Sequence, residues 1–330
     1  MTASGERSTR SSRFCIVGGA GFIGSHFVDR LLSDDAIESV TVYDNFSSGR
    51  SWHLEHHVDE RLRVVEADVR DLDPLVDAMA GADTVIHLAS NPDIARAATE
   101  PAVDFDQGTL LTHHVAEAAR LSTVTQVLYA SGSGVYGDLG EIEADEDYGP
   151  LIPVSTYGAS KLAGEALIAS YCFMFDLRAC VFRFGNVVGP RQTHGVGFDF
   201  VRRLLKDPTE LDILGDGKQS KSYVHVSDIV DAVLLAGQRA PRPFAAFNVA
   251  TGDYITVQEI AELALEVLGL EETAFRYSGG DRGWKGDVPV VRINTERIRA
   301  LGWANQMSSR QALESSMRSM VVDAQAGRLT

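Results

Sequence analysis

Tyr157 and Lys161 stand four positions apart in the run STYGASKLAGEALIASYCFMF, Ser155 to Phe175. In a helix, with Ser155 as its N-cap, that spacing puts both side chains on one face. A cation held beside a phenol stabilises the phenolate, so the pair predicts a Tyr157 that titrates well below its reference value near 10 and takes the proton of a substrate hydroxyl. Taken alone, the tetrad is common on helix surfaces. It gains meaning from a second constellation upstream, VGGAGFIGS at Val17 to Ser25.

Gly18, Gly21 and Gly24 recur at intervals of three between an apolar run, Phe14 to Val17, and the helically spaced Phe22, Ile23, Phe27, Val28, Leu31 and Leu32. A strand, glycine turn and helix of this kind lets the backbone approach a pyrophosphate, and the first amides of the helix, at Phe22, Ile23 and Gly24, face its oxygens. A second strand, Ser39 to Tyr43, runs into Asp44, twenty positions beyond Gly24. A carboxylate there accepts the hydroxyls of an adenosine ribose and repels a 2′-phosphate, which favours NAD over NADP. The loop NFSSGR, with Asn45, Ser47, Ser48 and Gly49, suits a turn around that adenosine. Asp68 and Val69 follow a third strand, Arg63 to Ala67, and are placed to receive the adenine amino group. A nearly continuous apolar strand, Thr84 to Ala89, ends with Leu88, Ala89 and Ser90 under the cofactor. Ser131 closes a fifth strand, Thr125 to Ser131, beside it, and Lys161 is placed to hold the nicotinamide ribose.

Strands and helices alternate, with helices over Pro74 to Ala80 and Val103 to Arg120, and no repeat of solenoid period interrupts them. At 330 residues and 45% hydrophobic content the chain can bury one large core or two interlocked ones. A net charge of -16 argues against nonspecific binding to nucleic acid or anionic membranes, so an anionic ligand must be met by local donors. Cys15, Cys172 and Cys180 are odd in number, lie in apolar segments and lack CxxC spacing, which predicts reduced core thiols in a cytoplasmic protein. His53, His56 and His57, and the pair His113 and His114, lack cysteine or carboxylate partners at ligand spacing, so no metal is expected. Residues 1–12 read as a disordered polar tail, and neither a targeting segment nor a membrane span is expected.

Further motifs follow in order: VYDN, ADVRD, HLAS, VYGD, FRFGNVVGPR, GDGKQSKSYVHVSD and GDRGWKGDVP. With GGAGFIG and STYGASK they span about Phe14 to Trp303, and over that span the chain resembles an extended short-chain dehydrogenase/reductase of the NAD-dependent nucleotide-sugar epimerase and dehydratase family, similar to UDP-glucose 4-epimerases. The resemblance implies an α/β fold with a Rossmann-type doubly wound parallel sheet over residues 13–186 plus about 222–250. A smaller α/β carboxy-terminal substrate lobe, 187–221 plus 251–330, would close over a nucleotide-sugar, most simply a UDP-sugar. Within it the resemblance places Asn186 at the nucleotide diphosphate, Leu214 beside the base, and Lys221 where an arginine usually holds phosphates. Arg282 and Asp287 correspond to a phosphate arginine and a ribose or structural aspartate. The implied assembly is a homodimer through a four-helix bundle made from residues 103–120 and 157–175 of each subunit.

One departure stands out. In YASGSGVYG the family's Ser or Thr, three residues before the valine, is Gly132, flanked by Ser131 and Ser133. That hydroxyl shares the proton between substrate and tyrosine, so Ser133 must swing in, a water must substitute, or proton transfer slows by roughly 10²-fold or more. The glutamate usual in dehydratases and uronate decarboxylases is Gly134 here. Reversible 4-epimerisation through a 4-keto sugar is therefore the leading implication. Decarboxylation of UDP-glucuronate or dehydration of a nucleotide-sugar by the same 4-keto chemistry is the alternative, and a non-catalytic NAD-binding protein is a third reading.

Overall fold

The computed structural model describes residues 11–91, 93–240, 243–284 and 286–329. The expected tail lies outside these except for Ser11 and Ser12, and Ser12 donates its amide to the Asp83 carboxylate at 3.0 Å. Strands β1 (Arg13–Val17), β2 (Ser39–Asp44), β3 (Leu62–Glu66), β4 (Thr84–His87) and β5 (Gln126–Gly132) join the later strands Arg178–Phe184 and Phe244–Val249 in one seven-stranded sheet. All its pairings are parallel, in the order Phe244–Val249, Arg178–Phe184, β5, β4, β1, β2, β3. Strand order reverses between β1 and β4, and a doubly wound sheet takes its ligand in the crevice above that switch point.

The helices are α1 (Phe22–Leu32), α2 (Leu72–Met79), α3 (Ala102–Asp104), α4 (Leu110–Leu121), α5 (Thr156–Phe175), α6 (Val196–Lys206), α7 (Val226–Arg239), α8 (Val257–Leu268), α9 (Glu296–Ala300) and α10 (Ser309–Gln325). On one face of the sheet Phe27 and Leu31 of α1 and Ile229 and Val233 of α7 pack with Ile16, Val42, Phe182 and Phe247. On the other face Leu75 of α2, Val115 of α4 and Ile168 of α5 pack with Val17, Val85 and Tyr129. Cys15, Cys172 and Cys180 are buried free thiols. A further core, with Phe198, Leu204, Leu211, Leu263, Leu313 and Met317, is built by α6, α8 and α10 over the parallel pair Glu210–Ile213 and Ala274–Tyr277. No helix among the described residues is long and apolar enough to cross a membrane.

Two elements differ from expectation. β4 stops at His87 because the amides of Leu88 and Ala89 both turn onto the Val17 carbonyl, at 2.9 and 3.1 Å, and draw the chain towards β1. The helix expected over Val103 to Arg120 is interrupted by a π turn, Phe105–Thr109. Gly108 in that turn lies against α5 so closely that a Cβ would sit 2.6 Å from Ser160 Oγ.

Beneath the carboxyl end of β5, Arg183 forks onto Glu165 with Nε at 3.0 Å and Nη2 at 2.7 Å, both side chains being buried. Ser131 donates its hydroxyl to the same carboxylate at 2.6 Å, and Arg183 Nη1 donates to Tyr136 Oη at 2.9 Å. Removing one member of such a pair leaves an uncompensated buried charge. Glu165→Ala should therefore cost about 3–5 kcal/mol of stability, read as a fall in the urea midpoint; a loss below about 1 kcal/mol would contradict the assignment.

Candidate active site

The crevice is shaped first by backbone. Gly18 holds a positive φ of 86°, and a Cβ there would lie 2.7 Å from the Ala89 amide nitrogen. At Gly24 a Cβ would lie 2.3 Å from the Gly18 carbonyl oxygen. No side chain fits either position, so the ends of β1, β4 and α1 meet as bare main chain. α1 starts from Gly21, which offers no side-chain cap, and its first turn carries no acidic residue. α5, α7, α8 and α10 by contrast are capped by Ser155, His225, Thr256 and Ser308. The first amides of α1, Phe22 and Ile23 included, are left to face an external anion, which is the fit a dinucleotide diphosphate requires.

Asp44 closes β2 at the edge of this turn and is 7% exposed. Its oxygens accept the Ala20 amide at 2.9 Å and the Phe46 amide at 2.8 Å, and Gly49 packs against it. Burial raises the Asp44 pKa, with those amides opposing the shift. A ribose would share a carboxylate that already orders the glycine turn. Asp68, next to Val69, is engaged as well: it pairs with Arg70 at 2.8 Å and accepts Asn45 Nδ2 at 3.2 Å. Ser48 lies in the same loop and gives its carbonyl to Arg50.

α5 carries Tyr157 and Lys161 into the crevice. Ser155 Oγ accepts the Gly158 amide at 3.1 Å, so the helix begins where the sequence places its cap. Lys161, 3% exposed, donates to the Ala130 carbonyl at 2.8 Å, with its Nζ 5.5 Å from the Tyr157 ring centre and 5.2 Å from that of Tyr129. The electrostatics correct the sequence expectation. Burial pushes the Tyr157 phenol above its ordinary value, with the Ser90 hydroxyl pulling it back and Asp104 pushing it further up. Burial also brings Lys161 down to about 8, against the carboxylates of Asp104 and Glu165. The sequence reveals the neighbouring cation; it does not reveal how much water the crevice removes, and desolvation is the largest influence on Tyr157.

The residues around position 132 face different ways. Ser131 donates its hydroxyl to Glu165. Ser133 opens a short turn with Tyr136 and borders a narrow hollow shared with Val291 and Arg292. Gly132 is extended, φ -161° and ψ 160°, and a Cβ there would meet nothing within 4 Å. The missing hydroxyl therefore leaves open space.

On the opposite wall Lys221 pairs with Asp287 at 2.6 Å. Arg282 donates Nη1 to the Asp287 carbonyl at 2.6 Å and pairs with Asp138 at 2.5 Å, and Gly283 donates its amide to the Asp287 carboxylate at 3.0 Å. Leu214 is half exposed beside Gly283. Asn186 is exposed at the start of a short strand, its amide group 3.3 Å from the Ser222 carbonyl. The fold thus gathers Lys221, Arg282 and Asp287 into one ion-paired group; both Asp287 oxygens are used inside it, which makes that residue a brace for the loop.

Sequence reading missed Asn91, Asp104 and Thr156: Asn91 and Asp104 are buried and hydrogen-bonded to each other, and Asp104 also accepts the hydroxyl of the exposed Thr156 beside Tyr157. It also missed a carboxylate beside the histidines. Asp29 Oδ1 accepts His56 Nε2 at 3.1 Å and His57 Nε2 at 2.8 Å, placing three donor atoms within 4.8 Å of one another. The other Asp29 oxygen pairs with Arg191, so a guanidinium already meets its charge. The hollow of about 460 Å³ lined by Trp52, Glu55, His56, Arg191 and Arg328 borders this cluster and shares no residue with the crevice.

Comparison with known proteins follows the same geometry. The profile described as the NAD dependent epimerase/dehydratase family matches residues 14–250. A UDP-glucose 4-epimerase of Mycolicibacterium smegmatis is 34% identical over 315 residues, 92% of this chain and 97% of that protein. A crystal structure of a UDP-galactose 4-epimerase is 36% identical and superposes with a TM-score of 0.83 over 94% of this chain and 99% of that one. The dTDP-glucose 4,6-dehydratase DesIV from Streptomyces venezuelae, solved with NAD bound, is 27% identical with a TM-score of 0.88 over 95% of this chain and 98% of its own.

The burial argument has a direct check. In protein free of added nucleotide, the phenolate absorbance change that Tyr157→Phe removes should have its midpoint above 10; a midpoint below about 9 would show that Lys161 outweighs desolvation.

Proposed function

This chain belongs to the NAD-dependent epimerase/dehydratase family, and from that premise we propose that it interconverts the C4 epimers of a UDP-sugar, with UDP-glucose and UDP-galactose as the pair. The observation that carries the reading is the makeup of the crevice: a phenol and a buried ammonium on α5, with glycine at 134 where the second acid of a dehydratase or decarboxylase would stand. Epimerisation needs one proton taken from and returned to the C4 hydroxyl, whereas eliminating water needs a further acid for the leaving hydroxyl.

Bound NAD would supply the hydride acceptor and donor at C4, and its positively charged ring would favour the phenolate. Gly18, Gly21, Gly24 and the opening amides of α1 would hold the diphosphate, and Asp44 with Asn45, Ser48 and Gly49 the adenosine end. Leu88, Ala89 and Ser90 would line the floor. Tyr157 takes the C4 proton and returns it, while Lys161 stabilises the phenolate and holds the ribose. With no hydroxyl at 132, the open space beside it admits a water or Ser133 as the proton's bridge. Asn186, Leu214, Lys221 and Arg282 would grip the nucleotide and leave the hexose free to turn.

Purified protein should convert UDP-galactose to UDP-glucose and back, and Tyr157→Phe should lower that rate by about 10²–10⁴-fold. The higher TM-score to a 4,6-dehydratase favours a second reading through the same 4-keto intermediate. Absence of interconversion, together with carbon dioxide release from UDP-glucuronate or water loss from a nucleotide-hexose, would move the assignment there.

The family resemblance and one surface support a homodimer. Phe173 and Met174 at the end of α5 are 71% and 70% exposed, and Phe105 and Leu121 on the neighbouring helical segment are exposed too. A second copy would cover these apolar side chains. Sedimentation should give twice the chain mass, and Phe173→Glu should yield a folded monomer; a monomeric parent protein would refute the proposal.

A further inference from the structure

Lys161 is an ammonium almost out of reach of water, and it donates a hydrogen bond to a neutral carbonyl, that of Ala130. A buried cation without a counter-charge gives up its proton. Two carboxylates favour its charge, Asp104 and Glu165. Glu165 is already neutralised by the Arg183 fork and the Ser131 hydroxyl. Asp104, 1% exposed, has only neutral donors among the described residues: Asn91 Nδ2 at 2.8 Å on one oxygen and Thr156 Oγ1 at 2.7 Å on the other. Its charge is therefore uncommitted.

We propose that Asp104 is a positioning residue of this site: the buried counter-charge that keeps the Lys161 ammonium ionised, tied through Thr156 to the turn that carries Tyr157. The π turn Phe105–Thr109 begins at the next residue and lays Gly108 on Ser160, which brings the carboxylate's segment against α5. Such turns are frequent at functional sites. The other titratable and charged groups around the ammonium are Glu165 and Tyr157 on α5, Tyr129 on β5, His87 on β4 and, behind Glu165, Arg183. His87 is held neutral by burial, its pKa down to about 3, and takes no part near neutral pH.

The role in catalysis rests on the epimerase reading; the charge pairing does not, and the tests separate the two. The unfolded chain keeps a lysine proton up to about 10.4, whereas the folded chain releases that of Lys161 near 8. Stability therefore rises with pH between those values. In Asp104→Asn the folded-state release moves lower, so the variant's extra cost grows as pH falls below about 8. Urea unfolding at pH 9 and pH 6 should show the ratio of unfolding constants, variant over wild type, increasing about tenfold per unit of that displacement. Thr156→Val, which removes only a hydrogen bond, should give the same ratio at both pH values. Adding Lys161→Met to Asp104→Asn should recover the stability lost at pH 6, and this holds as a test even if the single variant does not fold. A pH-independent cost, or no recovery in the double variant, overturns the proposal. If wild type interconverts the UDP-sugars, the rate optimum of Asp104→Asn should move to lower pH; if wild type proves inactive, the epimerase reading fails while the unfolding result still decides the pairing.

Discussion

The constraint on which the site depends is the approach of two main chains. β1 and β4 converge at their carboxyl ends until Gly18 touches the Ala89 backbone, a distance that admits no Cβ. Parallel pairing sets the strands side by side, and the turn of Leu88 and Ala89 onto the Val17 carbonyl draws them together above the sheet. The contact itself involves no side chain. The uncapped start of α1 turns its amides towards the same crevice. Everything else in the site is arranged around that backbone floor.

Chemistry is added from the second face of the sheet. α5 supplies the phenol and ammonium, and burial drives both towards their neutral forms. An apolar crevice makes each remaining charge stronger and each proton transfer more dependent on its neighbours. That is why carboxylates as ordinary in sequence as Asp104 and Glu165 matter here, and why the two are not equivalent: one is spent on Arg183, the other is not.

The sheet and the glycine turn were legible because backbone requirements leave local signatures. Three glycines between an apolar run and a helical stripe, and an acid at the end of the next strand, state their geometry within thirty positions. The Ser155 cap and the Tyr157 and Lys161 pair were legible for the same reason. What lies far apart in the chain was not. Lys221 meets Asp287 across 66 positions, and Asp29 meets His57 across 28. The lobe residues were reached by resemblance alone, which could name them but could not show that they bind one another. Asp104 drew no notice in the sequence, since no local pattern marks a carboxylate as buried. The direction of the Tyr157 shift was misjudged because spacing reports a neighbour's charge and says nothing of solvent.

The ion-paired group on the far wall has one more implication. Lys221 and Arg282 already hold the anions of Asp287 and Asp138, so an incoming phosphate cannot simply fall onto vacant positive charge. It would have to exchange places with a tethered carboxylate, and would gain only the difference between two anions. Exchange of this kind blunts attraction for inorganic phosphate and stray polyanions in solution. A ligand that also brought a base and a sugar to make contacts elsewhere would offset the displaced partner, so selectivity would arise from occupying several places at once.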